Sequence, residues 1–316
     1  MNTMMYEMQR LQAISREKGP LCVGLDTDPS YLPPEIIKLY DSPQDAVLAY
    51  NLSLISTLAP YTACYKVQIA YYEAMGLSGL SVYSKTLKAI RKSGIPVIAD
   101  IKRGDIADTA RAYARAHFTG EFEADIITIN PYMGFDTLEP FLEYVEKAGK
   151  GAFVLLRTSN PGMKDIEWLP VTSETDADKP TRVLDVVGSA LQSLVQRFPS
   201  PDKGCSPFGA VVGCTEESDA RSLRDRYPDL FFLIPGYGVQ GGAARVAATL
   251  LDQSGGVVNS SRGILTAWQK SESLDIRRRS GSLSLTDIVE AASQAAFSSQ
   301  ADLVAAKKAL SLEKGK

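Results

Sequence analysis

Histidine is almost missing from this chain of 316 residues: His117 stands alone. That scarcity weakens any Ser-His-Asp, Cys-His or His-metal chemistry, because each needs an imidazole to move a proton or hold an ion. Cysteine is sparse as well. Cys22, Cys64, Cys205 and Cys214 form no CxxC pair. Cys22 and Cys64 lie inside apolar runs, so the set reads as reduced core residues. No uninterrupted apolar run is long enough to cross a bilayer. Charge of one sign is lacking too: 34 Lys and Arg stand against 37 Asp and Glu, a net charge of −3. The balance makes no electrostatic case for nucleic acid or an acidic membrane as partner. The opening segment, MNTMMYEMQRLQAISREKG, carries acidic residues and no apolar leader core, so it reads as an amphipathic helix ended by Gly19 and not as a signal peptide. The expected location is the cytoplasm.

What is present is ordinary globular material, 45% hydrophobic and 22% charged. Eight short apolar runs recur along it: 21–26, 63–68, 95–101, 124–130, 151–158, 208–214, 231–236 and 255–261. They are near-continuous, as parallel strands covered on both faces should be. Amphipathic stretches such as PQDAVLAYNLSLISTLAPY and LSVYSKTLKAIRKSG lie between them. Eight strand–helix repeats predict an α/β fold, a single (β/α)8 barrel domain over 1–316. The polar segment over 163–205 predicts a surface insertion after strand five, with a helix at about 181–198. The basic stretch around Arg277, Arg278 and Arg279 reads as a solvated loop. An Ala-rich helical extension, about 286–312, closes the chain.

A barrel should carry its function at the C-terminal ends of its strands. Those ends offer Asp26, Lys66, Gln68, Asp100, Lys102, Asn130, Ser159, Gln240 and Arg262. The stretch ADIKRGDIADTARAYA, 99–114, is the most unusual of them, because a buried strand ends in acid, base and acid. Isolated buried charge is costly, and pairing repays the cost only with good geometry. Asp100 and Lys102, two apart on a strand, should share a face. With Lys66 they would make an alternating array that keeps both lysines protonated. Asp105 and Thr109, four apart, should share a face of the following helix. Late in the chain, IPGYGVQGG follows strand seven and NSSRG ends strand eight. Glycine-rich turns at these two places are where barrels hold phosphate, with Arg262 and Gln240 as added donors.

Together the motifs resemble the orotidine 5′-phosphate decarboxylase family. They are GLDTD, YKVQ, DIKRGDIADT, TSNPG, PGYGVQGG and SSRG, in family order over roughly 20–265. The segment NPYMGFDTLEPFLEY and the chain length are similar to the longer subgroup of that family. The resemblance implies conversion of orotidine 5′-phosphate to UMP and CO2 in de novo pyrimidine synthesis, with no metal or organic cofactor. It implies that Lys102, Asp100, Asp105 and Lys66 are catalytic. Asp26, Gln68, Thr109, Ser159, Pro235, Gln240, Ser261 and Arg262 would bind substrate. Asp105 and Thr109 would be donated across a homodimer interface. Three other readings compete. A sister barrel such as a hexulose-phosphate synthase would use Mg2+ and needs a carboxylate ligand near the second strand, where this chain has Lys66 and Gln68. A silent nucleotide-sensing barrel has no use for the charged array. A Schiff-base aldolase needs a neutral amine, and Lys102 is flanked by carboxylates.

Overall fold

The structure is a computed structural model that describes residues 5–172, 181–198, 204–237 and 242–314. Its centre is a closed barrel of eight parallel strands. They are β1 (Leu21–Gly24), β2 (Cys64–Gln68), β3 (Val97–Arg103), β4 (Ile126–Ile129), β5 (Gly151–Arg157), β6 (Phe208–Val212), β7 (Phe231–Ile234) and β8 (Gly256–Ser260). Each lies within or beside one of the eight apolar runs. Neighbours in sequence are neighbours in the barrel, and β8 closes on β1 through Leu21↔Val258, Cys22↔Asn259 and Val23↔Ser260.

Alternation along each strand separates two cores. Residues such as Val23, Val67, Ala99, Ile127, Val154 and Val258 point outward and pack under the helices. Cys22, Cys64, Ile98, Ile126, Phe153, Phe231 and Val257 point inward and fill the lumen. Met8 and Leu11 of the first helix, Glu7–Lys18, plug the lumen from below. That helix ends at Gly19, whose φ of +97° needs a glycine. The four cysteines are free, three of them buried.

After β5 the chain makes its insertion. A 3-10 turn at Pro161–Asp165 leads to a two-stranded antiparallel ribbon, Pro170–Val171 with Thr181–Arg182, and then to the helix Val183–Arg197. The chain ends in a helix of 30 residues, Leu285–Lys314. The basic stretch before it is no loop. Arg277, Arg278 and Arg279 belong to the short helix Asp275–Ser280, capped by Gly281 in the left-handed conformation. Arg277 pairs with Asp287, and Arg278 pairs with Asp275 and donates to the Trp268 carbonyl at 3.0 Å. Arg277 and Arg279 face solvent, and Arg279 still reaches Asp275. The helix forms because Asp275 and Asp287 give the three cations partners, which the local sequence does not advertise. No helix among the described residues is long and apolar enough to cross a membrane.

Candidate active site

Four charged side chains meet at the C-terminal mouth of the barrel. Lys66 Nζ donates to Asp26 Oδ1 at 3.0 Å and Oδ2 at 3.3 Å, and to Asp100 Oδ2 at 3.0 Å. Lys102 Nζ donates to the other Asp100 oxygen at 2.6 Å. The array runs acid, base, acid, base across β1, β2 and β3. Its inner members are buried: Lys66 and Asp100 are 6% and 8% exposed, against 44% for Lys102. Burial alone would push the Asp100 carboxyl up, but Lys66, Lys102 and the hydrogen bonds outweigh it and hold the group well below the usual carboxylate range. Burial alone would likewise lower Lys66, and the two carboxylates reverse it, so the ammonium is held charged well beyond the ordinary lysine range.

Two further side chains extend the array. Thr128 Oγ1 donates to Asp100 Oδ1 at 2.8 Å and accepts the N–H groups of Ile101 and Lys102, both at 3.0 Å. Ser261 Oγ donates to Asp26 Oδ2 at 2.7 Å and accepts from Asn259 Nδ2 at 3.0 Å. The approach of Ser261 requires Gly24, since a Cβ there would stand 2.0 Å from Ser261 Oγ. Thr128 and Asn259 are the functional-site residues that motif reading missed. Their signal was parity: both occupy inward-facing positions, Thr128 on β4 beside the β3 strand of Asp100 and Asn259 on β8 opposite Cys22 of β1.

Lys102 arrives by an unexpected route. Plain alternation would put it beside Asp100, but the β3–β4 register shifts between Ala99 and Arg103, and Lys102 takes a φ of +46°. A left-handed conformation at a non-glycine residue costs on the order of 1–3 kcal/mol and persists only where the surroundings enforce it. Thr128 holds the Lys102 N–H and the Asp100 carboxylate holds its ammonium, so the strain is fixed from both ends. Ala107 is left-handed as well, at φ +44°. The segment from Lys102 to Ala107 is therefore a constrained turn.

The other site candidates fall into three groups. Asp105 and Thr109 do not share a helix face, because the helix begins only at Ala107 and Asp105 precedes it. Asp105 Oδ1 accepts the Ile106 N–H at 2.8 Å. Four-residue helical spacing misplaced it, since the left-handed turn delays the start of the helix past Asp105. Among the described residues neither of the two forms a hydrogen bond or ion pair with the array, and Thr109 is exposed. Gln68 lies at the end of β2 but its Oε1 caps the next helix through Ala70 N–H at 3.3 Å. On the far rim, Ser159 and Pro235 converge on Gly213, where a Cβ would lie 3.0 Å from Ser159 Cβ and 3.2 Å from Pro235 Cγ. Arg262 is exposed and begins a short helix after β8, next to Ser261. A cavity of about 310 Å³ opens beside Thr215, Pro235, Gly236 and Tyr237. Gln240 lies outside the described residues.

A larger cavity, about 790 Å³, lies to one side of the array, between the insertion and the loops after β4 and β5. Its walls include Tyr132, Phe135, Met163 and Ile166 and carry none of the four array residues. Burial also decides the role of His117. Its pKa is pushed down to about 4 by desolvation and by Arg103, and its ring stacks on Phe122, so it is a neutral packing residue away from the mouth.

Comparison with known proteins places these features in context. A family model described as "Orotidine 5'-phosphate decarboxylase / HUMPS family" matches residues 19–275. The orotidine 5'-phosphate decarboxylase of Clostridium botulinum (strain Loch Maree / Type A3) is 50% identical over 264 residues, 83% of this chain and 90% of that protein. That of Clostridium novyi (strain NT) is 48% identical over 270 residues, 85% and 92% of the two chains. Among solved structures, the Leishmania donovani OMP decarboxylase superposes with a TM-score of 0.64 at 29% identity, covering 93% of this chain and 99% of that one.

Proposed function

The chain belongs to the orotidine 5'-phosphate decarboxylase / HUMPS family, and from that premise we propose that it converts orotidine 5′-phosphate to UMP and CO2. The observation that carries this reading is the buried acid–base–acid–base array at the barrel mouth, in a chain about half identical to curated decarboxylases of that name. When the bond from C6 to the carboxylate breaks, its electron pair stays on C6, with no adjacent carbonyl to delocalise it in the usual way. Fixed charge must do that work. The Lys102 ammonium faces the developing charge and then transfers a proton to C6, where CO2 has left. Asp100 holds that ammonium in place and opposes the departing carboxylate. Lys66 and Asp26 take the ribose hydroxyls, and Gln68 lines the same edge. Ser159 meets the pyrimidine amide edge. Pro235, Gln240, Ser261 and Arg262 take the phosphate, remote from the reacting carbon, where binding energy can be used to close the site.

The second element is a homodimer in which Asp105 and Thr109 of one subunit complete the site of the other. Two observations support it. Neither residue hydrogen-bonds or ion-pairs with its own array, and large apolar side chains stand exposed on the same mouth-side loops: Ile106 between them in sequence, and Tyr132, Met133 and Phe135 after β4. Such a patch on a protein surface marks an interaction site.

The test is the loss of orotidine 5′-phosphate absorbance with EDTA present. Metal-free decay is expected for the wild type, and at least about a thousandfold slower decay for Lys102→Ala. Near-normal turnover by a pure Lys102→Ala preparation sinks the mechanism, and abolition by EDTA favours a Mg2+ enediolate reaction instead. Mixing inactive Lys102→Ala with inactive Asp105→Ala tests the shared site. Recovery of activity is expected, and a mixture as inactive as its parts overturns it.

A further inference from the structure

The opposite end of the barrel holds a second polar cavity, of about 320 Å³, between the end of the first helix and the C-terminal helix. It lies beside Gly19 and Pro20, directly before β1, and so on the face away from the catalytic array. Arg16 and Lys18 line it from one helix, Lys307 and Lys308 from the other, and Glu17 is the only carboxylate in its wall.

One anion, Glu17, faces these four cations, of which Arg16 and Lys308 are exposed and Lys18 and Lys307 partly buried. Arg16, Lys307 and Lys308 form no ion pair among the described residues. Lys18 only reaches the Ala59 carbonyl, at 3.5 Å. Arg16 and Lys18 sit in a last helical turn, where the free carbonyls suit cations. Lys307 and Lys308 have no such reason to be there. Lys307 is half-buried, and desolvation followed by the neighbouring Arg16 charge pushes its pKa down, with only a weak opposing pull from Asp252. Asp252 is itself engaged by Arg221 and Lys314. Packing four cations around one concave space, with one partly desolvated, is unfavourable unless an anion fills it. The walls are nonetheless fixed. Gln300 Nε2 donates to the Lys18 carbonyl at 2.6 Å and ties the two helices together, and Ser15 is pinned through its Oγ to the Gly256 carbonyl at 2.9 Å.

We propose that this cavity is a binding site for a small soluble polyphosphate, a di- or triphosphate group free or on a nucleotide. Arg16 supplies a planar fork for one phosphate, and the lysines supply point charges for the rest. The site is separate from the active site and uses the C-terminal extension as one wall.

The test uses inorganic tripolyphosphate as the probe, titrated calorimetrically into the full chain at low and moderate salt, with and without excess UMP. Binding that persists under UMP, weakens with salt and is unchanged in Arg262→Ala is expected. Lys307→Met with Lys308→Met should weaken it at least about tenfold, a loss of about 1.4 kcal/mol. Absence of binding at millimolar probe, loss of binding under UMP, or full retention in the double variant overturns the proposal. A second reading guards against a misfolded variant. Without ligand, Lys307→Met should melt at or above the wild-type temperature, because a repulsion is removed and the aliphatic stem kept. A lower melting temperature would mean the cation was already satisfied, and that also overturns it.

Discussion

The inward faces of the barrel strands carry two opposite chemistries within two residues of each other. On the lower level stand Cys22, Cys64, Ile98, Ile126 and Val257, wholly buried and apolar. One inward position higher on the same strands stand Gly24, Lys66, Asp100, Thr128 and Asn259. The step is about 6.6 Å along each strand. Below it the lumen is sealed by Met8 and Leu11, and dispersion and area burial hold the structure. Above it every polar atom of the array is matched to a partner, and electrostatics hold it. The lesson is that the lower layer supplies rigidity and the upper layer uses it. Buried ion pairs are weak sources of stability, because desolvation cancels much of the attraction. They can be kept in place by a floor that does not move.

That contrast can be broken most forcefully from below. Phe153 fills the lower lumen beside Phe231, ring centroids 6.3 Å apart. Phe153→Ala should cost about 3–5 kcal/mol in urea unfolding. Turnover per folded molecule should change far less than the thousandfold loss expected of Lys102→Ala. Equal collapse of stability in Lys102→Ala would show that the layers are not separable. A smaller effect sharpens the picture from above. Asp100 has its folded-state pKa depressed below the ordinary 3.8. Its contribution to stability is therefore fully present above that ordinary value and is lost as pH falls toward the folded one. Thr128→Val removes one of the donors that depress it. The variant should lose about 1–2 kcal/mol near neutrality and show a shallower loss of stability from pH 5 to pH 3. Parallel curves for the two proteins would remove Thr128 from the array.

The apolar layer was legible in the sequence, because eight near-continuous runs are what two-sided burial demands. The charged ends were legible for the complementary reason: Asp100 and Lys102 have no cheap place in a core. Four features were not. The route of Lys102 depends on a register shift against β4, a tertiary fact with no local signature. Asp105 was misplaced because the left-handed Ala107 delays the helix. The three arginines near the end were misread since their partners, Asp275 and Asp287, count only once the chain folds back. Thr128 hid in plain view, since a single threonine in IITIN is common strand vocabulary until parity lines it up with Asp100.

The seam between β1 and β8 carries a consequence for how the protein is made. Asp26 and Ser261 are joined by a hydrogen bond that spans 235 positions of chain. The first strand emerges from the ribosome long before its last partner does. Until Gly256–Ser260 has been synthesised, β1 and β7 each present an open edge, the kind that pairs with other chains. A chain cut short before the seam would keep the four array residues but lack the Ser261 bond to Asp26 and a closed sheet. The barrel stays open until its eighth strand is made, and that strand resolves both edges at once.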